Sequence, residues 1–309
     1  MERRHVGPFS LSAVGVGTAP LGADPSWYVN WPRLDEREGI AAIHRALELG
    51  VNWIDTAPFY GWGRAETIVG RALAGRREKL HVFTKCGTFR NRDGASPEDH
   101  RPASIRADLE GSLRRLGVEH VDLLQLHDPD PAVPIEDSWG TVRELIDEGK
   151  VRHGGLSNHS RELVERALAV GPVATLQHQL SLLARDAERD VVATVDAHGL
   201  GLLCWSPLAS GFLGAEFDVD ALGEDDFRRR HRFASLDLAP LRASLVAIGR
   251  AHGRSSAQVA IAWVLTRTAA AAAIVGVRNV REAEELPGAA DVRLSPEEQG
   301  ALEAAAPSG

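Results

Sequence analysis

The segment VNWIDTAPFYGWGRAETIVGRAL, residues 51 to 73, contains a strand, a loop and a helix in that order. Its first five residues, VNWID, are mostly apolar and end in an aspartate, which is typical of a short buried strand. Glycines then flank Trp62 in a loop, and residues 64 to 74 place apolar side chains at helical spacing. The segment therefore predicts one unit of a β-strand, a glycine-rich loop and an amphipathic helix, with Asp55 at the end of the strand.

The same strand-then-helix pattern recurs along the chain. Other short apolar runs are predicted to be strands, at 13–19, 80–85, 121–127, 151–157, 173–179, 200–206 and 271–276. Amphipathic segments accompany the strands, at 35–50, 64–74, 102–116, 136–149, 160–169, 186–198, 239–267 and 279–286. Nearly continuous apolar runs are typical of parallel strands that are buried on both faces.

This alternation predicts an α/β fold, a closed (β/α)8 TIM barrel that forms a single domain over residues 1–309 with its core at about 10–300. The alternative is an open, doubly wound sheet. That fold needs a glycine-rich dinucleotide fingerprint at its first helix, whereas GVGTAPLG is followed by a tryptophan-rich loop. The long segment 212–235 interrupts the pattern, and we interpret it either as a lid over a cofactor or as a solvated surface excursion.

The composition limits the classes of function. The net charge is −8, with 44% apolar and 25% charged residues, which is ordinary for a soluble globular protein and does not favour a nucleic-acid or membrane-surface binder. No run of about 20 apolar residues exists, and the N-terminal MERRHVGPFS lacks the apolar part of a secretory signal. Cys86 and Cys204 each end an apolar run and are predicted to be buried and unpaired. We therefore expect a cytoplasmic protein without a metal site.

Chemically reactive side chains stand at the ends of three successive predicted strands. Asp55, Lys85 and His127 occupy these ends, and Tyr60 follows in the loop after Asp55. A (β/α)8 barrel gathers such residues at its carboxyl-terminal end, where active sites lie. Taken singly, each residue also has a structural interpretation: a cap, a salt bridge, a packed ring or a loop aromatic. Their common location favours a catalytic group.

The chemistry of this group is proton transfer. A phenol, with an ordinary pKa of about 10, is a poor acid at neutral pH. A lysine cation beside Tyr60 favours the phenolate and is expected to lower the pKa of the phenol. Asp55 would keep Lys85 charged in apolar surroundings. His127 is placed to orient a carbonyl oxygen or to assist the proton transfer.

Several motifs resemble those of the aldo-keto reductases, in the order and spacing of that family. They span about residues 10 to 300 and are GVNWIDTAPFYGWGRAETIVGRAL, FTKCG, DLLQLHDPD, EGKVRHGGLSNHS, LLCWSPLASGFL, EDDFRRRHRF and AAIVGVRNVREAEEL. The resemblance implies a (β/α)8 barrel that carries out NAD(P)-dependent carbonyl reduction. It also implies a catalytic tetrad, in which Tyr60 donates the proton, of Asp55, Tyr60, Lys85 and His127.

The resemblance also implies a cofactor site in the second half of the chain. Ser157, Asn158 and Gln177 match residues that hydrogen-bond the nicotinamide carboxamide. Trp205 matches the aromatic residue on which the nicotinamide ring stacks, although core packing of its strand is an alternative. The loop expected along the pyrophosphate comprises Ser206, Pro207, Leu208, Ser210 and Gly211.

The adenosine end of the family pattern is only partly present. Gly276 and Arg278 match the turn before the last barrel helix, and an arginine there suits a 2′-phosphate. Glu282, Glu285 and Leu286 stand where the family commonly has Gln or Arg, Glu and Asn. A carboxylate at 282 opposes a 2′-phosphate but accepts from a free 2′-hydroxyl. We therefore expect NADP(H) to be favoured, with NAD(H) as the alternative.

Aromatic residues in the loops after the first three strands are predicted to line a substrate pocket; they are Trp27, Trp31, Trp62 and Phe89. Such a wall suits sugar rings, aryl aldehydes or other flat carbonyl compounds. Packing of the first loop against the barrel rim is an equal alternative for Trp27 and Trp31. Two other functions stay open, a non-catalytic NADPH-binding regulatory subunit and a Schiff-base aldolase that uses Lys85.

Overall fold

The chain begins with a two-stranded antiparallel hairpin, which the sequence patterns did not predict. In the computed structural model it is formed by β1 (Arg3–Val6) and β2 (Phe9–Ser12). Its apolar side chains pack with residues inside the barrel in one cluster that contains Val6, Phe9, Leu11, Trp53, Phe83, Leu123 and Leu203. The structure describes residues 1–24, 27, 29, 31, 32, 34–77, 80–88 and 98–307.

Eight parallel strands of the described chain close into a barrel. Each strand pairs with the next one, and the last pairs with the first. They are β3 (Val14–Gly17), β4 (Trp53–Asp55), β5 (His81–Cys86), β6 (Val121–Leu126), β7 (Val151–Ser157), β8 (Thr175–Gln179), β9 (Gly201–Trp205) and β10 (Ala271–Gly276). The predicted (β/α)8 barrel is confirmed, and the doubly wound sheet is excluded.

Helices surround the barrel. Those in the described residues are α1 (Glu36–Glu48), α2 (Arg64–Leu73), α3 (Pro102–Leu116), α4 (Ile135–Asp147), α5 (Arg161–Val170), α6 (Ala187–His198), α7 (Ala239–His252), α8 (Ser256–Leu265), α9 (Val280–Asp291) and α10 (Pro296–Ala305). The first helix shows the local rules: the Asp35 side chain caps its amino-terminal end, and Ala42, Ile43 and Ala46 form its buried stripe. None of the described helices meets the length and apolar character required to cross a membrane.

The prediction of one helix over 239–267 was wrong. Gly253 adopts a left-handed conformation with φ of 63° and ends α7. Ser255 then begins α8 with a capping box, in which its side chain and that of Gln258 each accept a backbone N–H. A further helix, α10, was not predicted, and α9 continues past the predicted end at residue 286 with Pro287 inside it.

The interior of the barrel changes from apolar to polar along its length. The cluster that includes Trp53 and Phe83 is apolar. Asp55 lies two residues beyond Trp53 in β4, and Lys85 lies two residues beyond Phe83 in β5. Gln125 in β6 and Gln177 in β8 also lie in the later part of their strands. Because successive side chains of a strand alternate between faces, residues two apart share the same face. Buried polar groups are therefore brought together at the carboxyl-terminal end of the barrel.

Candidate active site

Lys85 is the centre of the polar group at this end of the barrel. Its Nζ atom donates to Asp55 Oδ1 at 2.5 Å, to Tyr60 Oη at 3.0 Å and to the Thr56 carbonyl oxygen at 3.1 Å. An ammonium has three donors, so the three contacts satisfy it completely. The Lys85 side chain is fully buried, and Asp55 is nearly so. Lys85 therefore depends on these partners to keep its charge.

The backbone brings the four predicted catalytic residues together. Asp55 pairs with Phe83 across β4 and β5, which places Lys85 two residues further on the same face. Tyr60 follows β4 in a turn where Gly61, Trp62 and Gly63 all have positive φ. A side chain at Gly61 would lie 2.0 Å from the carbonyl oxygen of Gly22, so only glycine fits there.

His127 completes the group from the end of β6. Its backbone N–H donates to the Cys86 carbonyl oxygen at 3.0 Å, and its ring lies edge-on to that of Tyr60 with 5.9 Å between centroids. Burial, with a further contribution from the Lys85 charge, holds the pKa of His127 well below its ordinary range. The imidazole is therefore neutral at neutral pH, with one nitrogen able to donate and the other able to accept.

The pKa of Tyr60 depends on burial as well as on its lysine neighbour. Burial raises it, and Asp55 adds to this, while Lys85 pulls it down without fully offsetting the burial. Burial alone would lower the pKa of Lys85, but the nearby Asp55 and Tyr60 raise it above the ordinary value. The prediction that Asp55 keeps Lys85 charged agrees with this balance. The predicted lowering of the Tyr60 pKa by Lys85 is also present, but the effect of burial outweighs it. The phenol is protonated and the lysine is charged.

Two glutamines anchor the other oxygen of Asp55. Gln177 Nε2 donates to Asp55 Oδ2 at 2.8 Å and to Gln125 Oε1 at 3.0 Å, and Gln125 Nε2 donates to Asp55 Oδ2 at 3.3 Å. The side-chain nitrogen of Gln177, which was predicted at the nicotinamide, is thus engaged with Asp55. Gln125 was not selected from the sequence, although it lies two residues before His127, at the spacing that places both on one face of the strand.

A cavity of about 600 Å³ opens beside the group, and all of the predicted cofactor residues line it. The predicted residues on its wall are Asp55, Tyr60, His127, Ser157, Asn158, Gln177, Trp205, Ser206, Pro207, Leu208, Ser210, Gly211, Gly276, Arg278, Glu282 and Glu285. Others that were not selected are Phe59, Asp128, Gln179, Phe227, Arg228 and His231. Phe227, Arg228 and His231 belong to the segment 212–235, which contains no barrel strand, so a search of strand ends could not have found them.

The wall between His127 and Trp205 is held by Asn158. Its Nδ2 donates to Asp128 Oδ1 at 2.7 Å, and its Oδ1 accepts from the indole Nε1 of Trp205 at 3.1 Å. The Asn158 side chain therefore orients the tryptophan ring, in addition to the nicotinamide contact predicted for it. Ser157 Oγ is buried on the same wall and has no hydrogen-bond partner among the described residues. An unsatisfied hydroxyl at this position fits a ligand amide.

The loop after β9 forms another part of the wall with an unusual backbone. Ser206, Ala209 and Ser210 all adopt positive φ, which is uncommon for residues other than glycine. The Ser206 hydroxyl accepts from the Ser210 N–H at 3.1 Å and holds the loop compact. Short side chains and close backbone suit a pyrophosphate, so the loop fits the role that the resemblance implied for it.

The predicted aromatic wall is only partly formed. Trp27 and Trp31 line the cavity, whereas Trp62 is not among its lining residues and packs edge-on against Phe59. Phe89 lies outside the described residues. Trp31 contacts Phe227 at 5.0 Å between centroids, so the segment 212–235 reaches the cavity. In that segment Arg228 forms a two-point ion pair with Asp226 and lies over the Trp31 ring.

The fold and this site define a (β/α)8-barrel protein with a candidate active site at the carboxyl-terminal end of the barrel. The sequence profile of the Aldo/keto reductase family matches residues 13–307. A probable aldo-keto reductase 1 of Glycine max is 32% identical over 317 residues, which cover 100% of this chain and 91% of that protein. The chain therefore belongs to the aldo/keto reductase family and is an NAD(P)-dependent oxidoreductase of carbonyl and alcohol groups.

Solved structures agree with this assignment. The glycerol dehydrogenase of Gluconobacter oxydans superposes with a TM-score of 0.86 at 33% identity, over 98% of this chain and 94% of the other. An aldo/keto reductase of Klebsiella pneumoniae, solved in complex with NADP and acetate, gives a TM-score of 0.77 at 25% identity, over 100% and 97%. Both therefore share the fold along nearly their whole length.

Proposed function

We propose that the chain catalyses reversible hydride transfer between NADP(H) and a carbonyl or alcohol substrate, with Tyr60 as the general acid and base. The observation that carries this proposal is the 3.0 Å hydrogen bond between Lys85 Nζ and Tyr60 Oη at the wall of the cavity. A phenol beside a buried ammonium gives up its proton to form a phenolate that the ammonium stabilises.

The residues divide the chemistry between them. The nicotinamide, when bound, supplies the hydride in reduction and accepts it in oxidation. Tyr60 gives its proton to the oxygen of the reduced carbonyl, and Lys85 stabilises the tyrosinate that is left. Asp55 keeps Lys85 charged throughout. In oxidation the tyrosinate removes the proton from the alcohol, so both directions use the same groups.

We assign His127 the role of orienting the substrate oxygen. Its neutral imidazole has one N–H donor, and it lies beside the Tyr60 ring. A donor aimed at the oxygen on which charge develops stabilises the transition state more than the ground state. A protonated imidazole would compete with Tyr60 as the acid, and the lowered pKa of His127 avoids this.

The cofactor would be held by the other wall residues. Trp205 offers a flat platform for the nicotinamide, Ser157 offers a free hydroxyl to the carboxamide, and the loop 206–211 follows the pyrophosphate. The complex of the Klebsiella pneumoniae relative with NADP supports NADP(H). We place the cofactor lid at 212–235, since Phe227, Arg228 and His231 of this segment line the cavity.

For the substrate we propose sugars, aldehydes or ketones whose rings or chains fit between Tyr60 and the aromatic side chains of Trp27 and Trp31. The name of the Gluconobacter oxydans relative, a glycerol dehydrogenase, supports small hydroxylated compounds. The Schiff-base alternative requires Lys85 as an uncharged nucleophile. The raised pKa of Lys85 and its three hydrogen bonds argue against that role.

The test is to follow the absorbance of NADPH and NADH in parallel against a panel of aldoses, aryl aldehydes and ketones. We expect turnover of at least one class, with activity lost in Tyr60→Phe. Tight NADPH binding without turnover of any compound would instead support a non-catalytic regulatory subunit.

A further inference from the structure

Another cavity, of about 210 Å³, lies at the opposite end of the barrel from the candidate active site. Arg152 and His153 stand near the start of β7 and line it, as does Ala174 immediately before β8. Ser157 and Gln177, at later positions in the same two strands, line the candidate active site instead. The two cavities share no lining residue, so a ligand in one does not occupy the other.

Three side chains with N–H donors line this cavity, and they are Arg143 on α4, Arg152 and His153. Within the described chain, neither arginine side chain makes a hydrogen bond or an ion pair, and Asp147, one turn after Arg143, does not pair with it. None of the described residues on the cavity wall is a carboxylate. Two unmatched guanidinium groups on one cavity repel each other and attract an anion, although the whole chain carries a net charge of −8.

Packing holds two of these side chains in place. The absence of a side chain at Gly171 leaves room for Arg143, since a Cβ atom there would lie 3.0 Å from Arg143 Cδ and Nε. The ring of His153 lies edge-on to that of Phe9, with 5.0 Å between centroids. Burial lowers the pKa of His153, and the charge of Arg152 adds to this effect. The imidazole is therefore neutral at neutral pH and keeps one N–H donor.

The neighbouring carboxylate of Asp122 is engaged elsewhere. Its charge reaches His153, where it opposes the lowering of the pKa, but it does not line the cavity. Asp122 Oδ2 accepts from Arg77 Nη2 at 2.8 Å and from the backbone N–H of Val82 at 2.8 Å. Asp122 therefore neutralises Arg77 and leaves the cavity arginines without a counter-charge.

We propose that this cavity binds a phosphate group, either as free phosphate or as a small phosphate monoester. A guanidinium matches two phosphate oxygens with parallel N–H···O bonds, and Arg143 and Arg152 offer two such groups from different elements. His153 offers a neutral donor beside them. The cavity is smaller than the roughly 300 to 1,000 Å³ that encloses a drug-sized ligand, so it suits phosphate with at most a short carbon chain against Ile146 and Val173.

Calorimetry with the full-length protein at neutral pH tests the proposal. Inorganic phosphate and ethyl phosphate are titrated separately, with sodium chloride keeping the ionic strength constant because screening changes any affinity for an anion. We expect saturable binding in wild type. Arg143→Gln and Arg152→Gln should each weaken it by at least about tenfold, since each removes charge-assisted hydrogen bonds.

Matched variants separate this site from a general effect of charge. Arg250 on α7 is exposed and does not line the cavity, so Arg250→Gln makes the same charge change and should alter the affinity by less than about twofold. Arg143→Lys keeps the charge, loses the planar fork and should still weaken binding. Thermal unfolding of each variant checks its folding, and Arg143→Lys replaces Arg143→Gln if the latter folds poorly.

The two titrants distinguish the source of the phosphate group. Binding of ethyl phosphate at least about tenfold tighter than inorganic phosphate would assign the cavity to a monoester, and equal affinities would assign it to free phosphate. The proposal is overturned if wild type shows no saturable binding of either titrant, if neither R143Q nor R152Q weakens it, or if R250Q weakens it equally. None of these results bears on the proposed function, which is tested by turnover.

Discussion

The Nζ atom of Lys85 lies 3.0 Å from the hydroxyl oxygen of Tyr60, although 25 residues separate them in the chain. Lys85 lies on β5, the third strand of the barrel. Tyr60 follows β4 and lies next to the turn in which Gly61, Trp62 and Gly63 have positive φ. Lys85 is fully buried and Tyr60 is partly buried, so solvent screens the interaction between the two groups only weakly.

Asp55→Asn is expected to make activity sensitive to high pH. Asp55 is the main group that raises the pKa of Lys85 against the effect of burial. Without the carboxylate, Lys85 should lose its proton at a lower pH, so the basic limb of the kcat profile should move to lower pH and kcat should fall by about 100-fold. The profile is measured by steady-state kinetics between pH 6 and about 10.

Asp108→Asn serves as the control for that prediction. Asp108 is also a buried carboxylate, but it accepts from the backbone N–H of Gly87 and makes no contact with Lys85. Its substitution should leave the basic limb in place. A basic limb that is the same in D55N and in wild type would show that Asp55 does not control the charge of Lys85.

Trp205→Ala should weaken NADP⁺ binding by about tenfold, because it removes the platform for the nicotinamide ring. Trp205→Phe keeps a flat ring but loses the hydrogen bond from Nε1 to Asn158. Most of the affinity should therefore survive in W205F. Quenching of intrinsic fluorescence or calorimetry measures both constants, and equal losses in the two variants would assign the effect to the hydrogen bond instead.

Trp31→Ala should raise KM for aryl aldehydes by about tenfold, because it removes one aromatic side chain from the wall of the cavity. Trp62→Ala offers a comparison from the neighbouring loop, because Trp62 packs on Phe59 and does not line the cavity. A larger KM effect from Trp62 than from Trp31 would place the substrate on the other side of Phe59.

The free energy of unfolding should fall as the pH drops from about 6.5 towards 4. Burial lowers the pKa of His159 and of His178 to about 4 in the folded protein. In this range the unfolded chain takes up protons that the folded chain excludes, so acid favours unfolding. At pH 5 each histidine should cost about 2 kcal/mol relative to pH 7.5.

Urea unfolding at pH 7.5 and at pH 5 measures this loss. His178→Gln removes one of the two proton sites, so the difference between the two pH values should shrink by about 2 kcal/mol. The comparison within one variant cancels any loss of packing that is independent of pH. An unchanged difference in H178Q would mean that His178 titrates normally in the folded state.

The barrel and the grouping of Asp55, Tyr60, Lys85 and His127 were predictable because both follow from local patterns. Apolar runs give the strands, and a parallel barrel places every strand end at the same face. Asp55, Lys85 and His127 stand at those ends, and Tyr60 is only five residues past the first of them. The residues that the family resemblance assigned to the cofactor all line one cavity, although their contacts with a cofactor stay a prediction.

What escaped prediction depends on contacts between distant segments. The net pKa of Tyr60 results from burial competing with Lys85, and the sequence does not contain the depth of burial. Trp31 and Phe227 meet across the cavity, although they are far apart in the chain. The prediction of one helix over 239–267, in contrast, was wrong for a local reason. Gly253 ends α7 and Ser255 begins α8, and both signals are present in the sequence.

The most direct test of Tyr60 as the proton donor is to measure kcat for Tyr60→Phe together with the dissociation constant of this variant for NADPH. The substitution removes only the hydroxyl that Lys85 contacts, so kcat should fall by about 1,000-fold while the dissociation constant of NADPH stays within about twofold. Wild-type turnover in Tyr60→Phe would contradict the assignment of Tyr60 as the acid.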